Sequence, residues 1–505
     1  MTGSAGLLLG LAFLPLPLGF LAWFAFVPLI AALQARIDAG HPLRVLFVTG
    51  WVFGFVFYLT GTHWIALLAD VAMTVPWIKY PAWIAAALYL SIYPGLATVA
   101  AGVLARRARL PLAIVFPAVW LAMEELRASG ELGFPWFQPG YTQHAYAPVI
   151  QLASLGSVSL VTLWVLAVNV LVWLAWRGPA RLRSALGALL LLALPWAWGT
   201  RVLGASPAAD GPAVALVQGN IAGEIKWSGR HQQEILDAYL RLSSTGVADS
   251  LHPGIVIWPE TATGTYLRQQ VDQLIAIYSW TAEHRVPIVA GHPFSRPDST
   301  GRQRFYNSAS VFDVLAGPSP IYAKRHLVPF GERMPFQSLI PALGKFDMGQ
   351  AEWTPGREAV LFPSPAGPFG VLICFEAIFP DLPRDDVRHG ARWLVNITND
   401  EWFGNGAALQ QHAAMAVFRA VENHVPLARC ANTGLTLFAD ANGRVTHRLP
   451  VFEAGVLVAR LAAPGAPTPF TRFGDWPGAI AGIVVALGAL RALFAGQRVD
   501  RPVPR

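Results

Sequence analysis

The chain has 505 residues, of which 54% are hydrophobic and 13% charged, against about 25% charged in an ordinary soluble domain. That composition excludes a disordered chain and an ordinary cytosolic enzyme. The net charge of +7 lies outside the middle of the chain, because residues 201–475 hold 23 Lys+Arg against 24 Asp+Glu. The excess basic residues sit in short gaps between apolar runs, where they set membrane topology rather than a nucleic-acid surface; no nucleic-acid partner is expected.

Apolar runs of the length that crosses a hydrocarbon core of about 30 Å fall near 5–22, 23–35, 45–67, 82–105, 110–127, 157–176, 184–200 and 477–495. They predict eight spans, with Pro15, Pro17 and Pro28 interrupting the first two. Arg36 and Arg44, then Arg106, Arg107 and Arg109, then Arg177, Arg181 and Arg183, then Arg491, Arg498, Arg501 and Arg505 occupy alternate gaps, and only Lys79 and Arg127 lie on the other side. The positive-inside rule puts both termini in the cytoplasm and residues 201–475 outside. The N-terminal run has no basic leader and no small-residue cleavage site, so it reads as a retained helix and not as a secretory signal. The expected organisation is therefore a membrane bundle over 1–200, an outer domain over 201–475, and a last helix with a cytoplasmic tail over 476–505.

Within the outer segment the period changes. Short β-rich runs at 214–218, 255–258, 287–290, 308–312, 371–374, 393–397 and 435–438 alternate with helical stretches at 231–247, 268–285 and 407–424. This is the pattern of a layered α/β domain, and about 275 residues suffice to bury its own core.

Metal and phosphate motifs are missing: there is no HExxH, no CxxC and no Walker pattern, and the two cysteines, Cys374 and Cys430, are far apart in the chain. No metal or cofactor is expected. Three segments instead deliver reactive groups at strand ends, where such groups collect in α/β sheets. Ile255-Val-Ile-Trp-Pro-Glu260 ends in a carboxylate, and Lys324 and Glu332 bracket a Pro-Phe-Gly turn. Gly370-Val-Leu-Ile-Cys374-Phe-Glu376 ends in a thiol with a carboxylate close behind.

Singly, each has an ordinary reading. A free Cys is a common core residue, and Glu260 before Thr261 and Thr263 suits a helix start. Lys324 beside Arg325 suits the surface, Glu332 a turn, and Trp227 a core or interface. Together they have a chemical logic. A thiol needs a base to become the attacking thiolate, and a desolvated carboxylate can take that proton. A lysine can hold the tetrahedral oxyanion without acting as a base.

The ordered set WPE, KRHLVPFGE, ICFE and NITNDEWFG resembles the nitrilase superfamily of carbon-nitrogen hydrolases, and its setting between membrane helices is similar to the apolipoprotein N-acyltransferase family. The resemblance spans essentially the whole chain. It implies an αββα sandwich as the outer domain, with Cys374 as nucleophile, Glu260 as general base and Lys324 as oxyanion-stabilising cation. Glu332 matches the family's second glutamate, which holds the lysine, and Glu376 and Trp227 match further positions around the site. Phe375 stands where better-known members carry Tyr, so it is expected only to line the pocket.

The implied activity moves a fatty acyl chain from a phospholipid, through a Cys thioester, to the N-terminal amine of a diacylglyceryl-cysteine apolipoprotein. It implies a multi-pass monomer of the bacterial inner membrane with its catalytic domain in the periplasm. Phe330, Met334, Phe336, Leu339 and Ile340 are candidates for an apolar pocket wall open to lipid. The alternative is a membrane-tethered amidase using the same Glu-Lys-Cys triad, which has no need of eight spans. Cys430 is expected in the core, unbridged to Cys374.

Overall fold

The computed structural model describes residues 1–70, 75–205, 210–317, 319–345 and 352–497. Arg498, Arg501 and Arg505 of the basic tail lie outside the described residues. The chain divides into two compact units. One comprises Met1–Ala66, Trp77–Gly204 and Phe473–Arg505, and the other Leu67–Pro76 and Ala205–Arg472.

The first unit is helical. Six of its described helical stretches are long and apolar enough to cross a bilayer: Gly19–Asp38, Leu43–Leu67, Pro76–Arg107, Ala153–Arg177, Arg181–Gly204 and Trp476–Phe494. Two of the eight expected spans fall short. Thr2–Leu11 has only 10 residues, about 15 Å at 1.5 Å per residue, because the chain breaks ahead of Pro15 and Pro17, which lack an amide donor. Leu112–Ala128 has 17 residues and carries Glu124 and Arg127, buried and hydrogen-bonded to each other. Small residues allow close helix contact here: a Cβ on Gly6 would sit 2.2 Å from the Phe53 carbonyl oxygen.

The second unit is built on two six-stranded sheets. The strands are β1 (Ala213–Gln218), β2 (Val256–Ile257), β3 (Ile288–Pro297), β4 (Gln303–Phe312), β5 (Ile321–Ala323) and β6 (Leu361–Phe362). They continue with β7 (Phe369–Ile373), β8 (Trp393–Thr398), β9 (Leu427–Ala431), β10 (Leu437–Ala439), β11 (Val445–Arg448) and β12 (Gly455–Arg460). The sheet orders are β12-β1-β2-β3-β4-β5 and β11-β10-β9-β8-β7-β6. Each has a parallel centre, β1-β2-β3 in one and β7-β8-β9 in the other, with antiparallel strands at the edges.

Alternation along the strands sorts their side chains into layers. Ile257, Val289, Val371, Ile373, Val395 and Ile397 meet between the sheets. Val256 and Trp258 turn the other way, onto Leu236, Tyr239 and Ile277 of helices Gln232–Val247 and Val271–His284. Leu394, Leu427 and Leu437 pack on helix Ala407–Asn423. The result is four layers, αββα.

Candidate active site

Four strand ends converge on one buried cluster. Just past β2, Pro259 is followed by Glu260, which is almost fully buried. Its Oε1 accepts a hydrogen bond from Asn307 Nδ2 at 2.7 Å, and its Oε2 accepts from the Asn399 backbone N–H at 3.0 Å. Lys324, one residue past β5, is fully buried; its Nζ donates to Glu332 Oε1 at 2.8 Å and stands 3.7 Å from Glu260 Oε1. Burial by itself pushes the Lys324 ammonium down, but the charges of Glu332 and Glu260 and the Cys374 thiol outweigh it and hold the lysine above its ordinary value. Lys324 is therefore a fixed cation and no base. Glu332 is in turn anchored by Asn307 Nδ2 at 3.1 Å and the Val328 N–H at 2.8 Å.

Cys374 follows β7 and opens a short 3-10 turn, Cys374–Ile378. Its φ of +50° lies in the left-handed region, which residues with side chains rarely adopt. Burial pushes its thiol up, the Glu260 charge adds to that, and Lys324 opposes it. The resting group is a neutral thiol, so attack needs proton transfer to a neighbouring base.

Glu376 does not contact the thiol. Its Oε2 accepts from the Ile373 N–H at 2.7 Å, and its Oε1 from the N–H groups of Arg325 at 2.6 Å and His326 at 3.2 Å. The Tyr322 hydroxyl lies 2.8 Å from both carboxyl oxygens. One carboxylate thus ties the backbone beside Cys374 to the backbone beside Lys324. Phe375 is buried with its ring edge-on to Phe379 at 5.3 Å between centroids. Trp227 ends the short helix Gly223–Lys226 and is 53% exposed. Of the seven expected site residues, Glu260, Lys324, Glu332 and Cys374 share the cluster, Glu376 braces it, and Phe375 and Trp227 stand beside chain segments that form it.

Residues not singled out from sequence also enter the cluster. Lys226, next to Trp227, is fully buried and donates to Asn399 Oδ1 at 3.3 Å. Burial pushes it down to about 8, with Glu401 and Glu260 partly offsetting that. Asn307 binds both Glu260 and Glu332. Atoms of Cys374, Asp400 and His412 lie within 4.8 Å of one another, but they are engaged with each other, with Thr398 and with the Arg429 guanidinium, so the trio reads as a hydrogen-bond network. Asn399 and Asp400 belong to the NITNDEWFG run; Asn307, Lys226 and His412 carry no local motif. Cys430 is buried between the sheets, its thiol donating toward the carbonyls of Val217 and Ile257, each 3.3 Å away.

An αββα sandwich with a Cys, a Glu and a Lys at its strand ends belongs to the carbon-nitrogen hydrolase class, and residues 213–466 match the carbon-nitrogen hydrolase family model. Residues 5–171 match the apolipoprotein N-acyltransferase N-terminal domain. The chain is 34% identical to the apolipoprotein N-acyltransferase of Geobacter metallireducens, with 97% of this chain and 95% of that protein covered. It is 32% identical to the Azotobacter vinelandii protein of the same name, covering 99% and 95%. Among solved structures, Saccharomyces cerevisiae Nit3, of branch 10 of the nitrilase superfamily, is similar at 18% identity and a TM-score of 0.37, over 50% of this chain and 90% of that one. The chain belongs to the apolipoprotein N-acyltransferase family.

Proposed function

We propose that this chain transfers a fatty acyl group from a phospholipid, through a thioester on Cys374, to the α-amino group of a diacylglyceryl-cysteine at the N-terminus of an apolipoprotein. The observation that carries the mechanism is the buried Lys324 held 2.8 Å from Glu332 and 3.7 Å from Glu260, with both Glu260 and Lys324 acting on the Cys374 thiol. Relatives named apolipoprotein N-acyltransferase, covered across 95% of their length, support the apolipoprotein acceptor.

In the first half-reaction Glu260 takes the thiol proton as sulfur attacks the ester carbonyl, and Lys324 holds the developing oxyanion. Collapse breaks the ester C–O bond; Glu260 returns the proton to the departing glycerol oxygen, leaving a lysophospholipid and a thioester. In the second, the lipoprotein amine attacks the thioester carbon, Glu260 takes its proton and passes it to the leaving sulfur, and an amide forms. Both substrates carry acyl chains whose transfer to water costs about 0.8 kcal/mol per CH₂, so the chemistry belongs at the membrane. Phe330, Phe336, Leu339 and Ile340, all exposed after the Lys324 strand, supply an apolar surface for such a chain.

The topology proposed with this activity is a monomer in the bacterial inner membrane. Its eight crossings include two short helices, Leu112–Ala128 and Thr2–Leu11, the latter crossing only together with the apolar residues 12–18 that follow it. Residues 1–200 form the first seven crossings, residues 201–475 face the periplasm, and residues 476–505 form the last crossing and the cytoplasmic tail. Incubation of the purified protein with phospholipid is expected to add one fatty acyl mass to Cys374, absent in Cys374→Ser and removed by a diacylated lipopeptide. A wild-type protein that stays unmodified, or an adduct that yields only free fatty acid in the presence of the lipopeptide, overturns the proposal.

A further inference from the structure

The left-handed turn at Cys374 is held from behind by side chains that the acyl-transfer steps do not use. His412, on helix Ala407–Asn423, places Nε2 3.0 Å from the Cys374 carbonyl oxygen. A carbonyl only accepts, so Nε2 carries the proton. Nδ1 of the same ring is therefore the acceptor and takes a hydrogen bond from Arg429 Nη2 at 3.1 Å, with Asp400 Oδ1 alongside at 3.0 Å. Asp400 Oδ2 accepts from Arg429 Nη2 at 2.6 Å, and its Oδ1 accepts from the Thr398 hydroxyl at 2.7 Å. The Thr398 side chain also acts on the Cys374 thiol, slightly opposing the upward push of burial. Arg429 makes a further hydrogen bond to Asn396. Thr398, Asp400, His412 and Arg429 are all fully buried.

Four separate elements supply this network: the turn after β7, the end of β8, helix Ala407–Asn423 and β9. Stability alone is a poor reason to bury an Arg–Asp pair with a histidine, because well-packed apolar residues in such places are often as stable or more so. A strained backbone persists where its surroundings over-determine it, and such places cluster at functional sites. Here two branches of one network end on or beside the same residue: Arg429, paired with Asp400, reaches the Cys374 carbonyl through His412, and Asp400 holds Thr398 at the end of the strand next to β7.

We propose that Asp400, His412 and Arg429 are positioning residues for the nucleophile: His412 clamps the Cys374 carbonyl in its left-handed turn, Arg429, paired with Asp400, orients the imidazole by donating to Nδ1, and Asp400 fixes the Thr398 hydroxyl at the end of the neighbouring strand. This rests on the reading of Cys374 as the acyl-accepting nucleophile. The packing also defines a perturbation that leaves all these side chains in place, since a Cβ on Gly434 would sit 2.4 Å from Asp400 Oδ2.

The test uses the full-length protein in phospholipid nanodiscs, with His412→Leu, His412→Gln and Gly434→Ala. Two rates are read by mass spectrometry: acyl transfer from phosphatidylethanolamine onto Cys374, and alkylation of Cys374 by iodoacetamide. Misplacing a reacting group by about 1 Å costs on the order of 10²-fold. His412→Leu is therefore expected to slow both reactions by about 10- to 100-fold, with the half-saturating phospholipid concentration and the melting temperature close to wild type. His412→Gln keeps an amide donor and recovers part of the loss, while Gly434→Ala slows both rates with every network side chain retained. Equal rates in wild type, His412→Leu and Gly434→Ala overturn the network. So does a loss that only tracks the folded fraction and is the same for Leu and Gln. If His412→Leu does not fold, Gly434→Ala decides alone. A wild type that takes no acyl group removes the nucleophile assignment itself, whereas a wild type and His412→Leu that acylate equally remove only the clamp.

Discussion

Lys324 and Lys226 are both enclosed by protein and both sense the Glu260 charge, yet burial has opposite outcomes at the two places. Beside Lys324 stand two carboxylates, at 2.8 and 3.7 Å, and the ammonium is held above its ordinary value. Lys226 has one neutral partner, Asn399, and falls to about 8. Desolvation acts on every buried amine; only a close counter-charge reverses it. The lysine with carboxylate partners is a permanent cation suited to an oxyanion, and the other is a group that titrates near neutral pH.

The largest expected effect comes from removing the permanent cation. Lys324→Met leaves Glu332 and Glu260 facing each other without a counter-charge. It is expected to cost about 10²- to 10³-fold in Cys374 acylation and about 3 kcal/mol of stability, read as adduct formation and as a denaturation midpoint. If Lys324→Met acylates at more than a tenth of the wild-type rate, the oxyanion assignment fails.

The second effect is a pH dependence that belongs to Lys226. Its folded value of about 8 lies below the ordinary 10.5, so between those two values the unfolded chain binds a proton that the folded chain has released. Stability from this group therefore rises with pH across that window, and the protonated lysine costs stability below it. Lys226→Met is expected to abolish that rise and to melt no lower than wild type at pH 7. The same pH slope in both proteins removes the contrast between the two lysines. The smallest effect is that of Cys430→Ala, expected to lower stability by about 1 kcal/mol and leave acylation unchanged, since its thiol lies in the apolar core between the sheets and donates toward the Val217 and Ile257 carbonyls.

Legibility in the sequence followed chemical locality. The runs that became β1, β2, β7 and β8 are short and apolar because both faces of those strands are buried. Strands β5, β6 and β11 have two to four residues, too few for a period to emerge. Strand β9 reads Leu-Ala-Arg-Cys-Ala, and its Arg429 interrupts the apolar pattern because it serves Asp400. After the span expected at 45–67 the order of residues also hid a grouping: Leu67–Pro76 belongs to the second unit, where the Ala69 N–H donates to the Trp402 carbonyl at 3.1 Å. Trp227 was the expected site position, but Lys226 beside it is the residue turned inward.

By itself the sequence determined a membrane bundle, an α/β unit between its last two helices, and three strand ends bearing an acid, an ammonium and a thiol, because hydropathy and period are properties of neighbours along the chain. Tertiary structure alone decided what those groups touch. Glu260 receives its second anchor from Asn399, 139 residues on, and Cys374 receives its clamp from His412, 38 residues on. Charge states were decided there too, since whether a buried amine keeps its proton depends on which carboxylate folds against it, and no run of adjacent residues contains that distance.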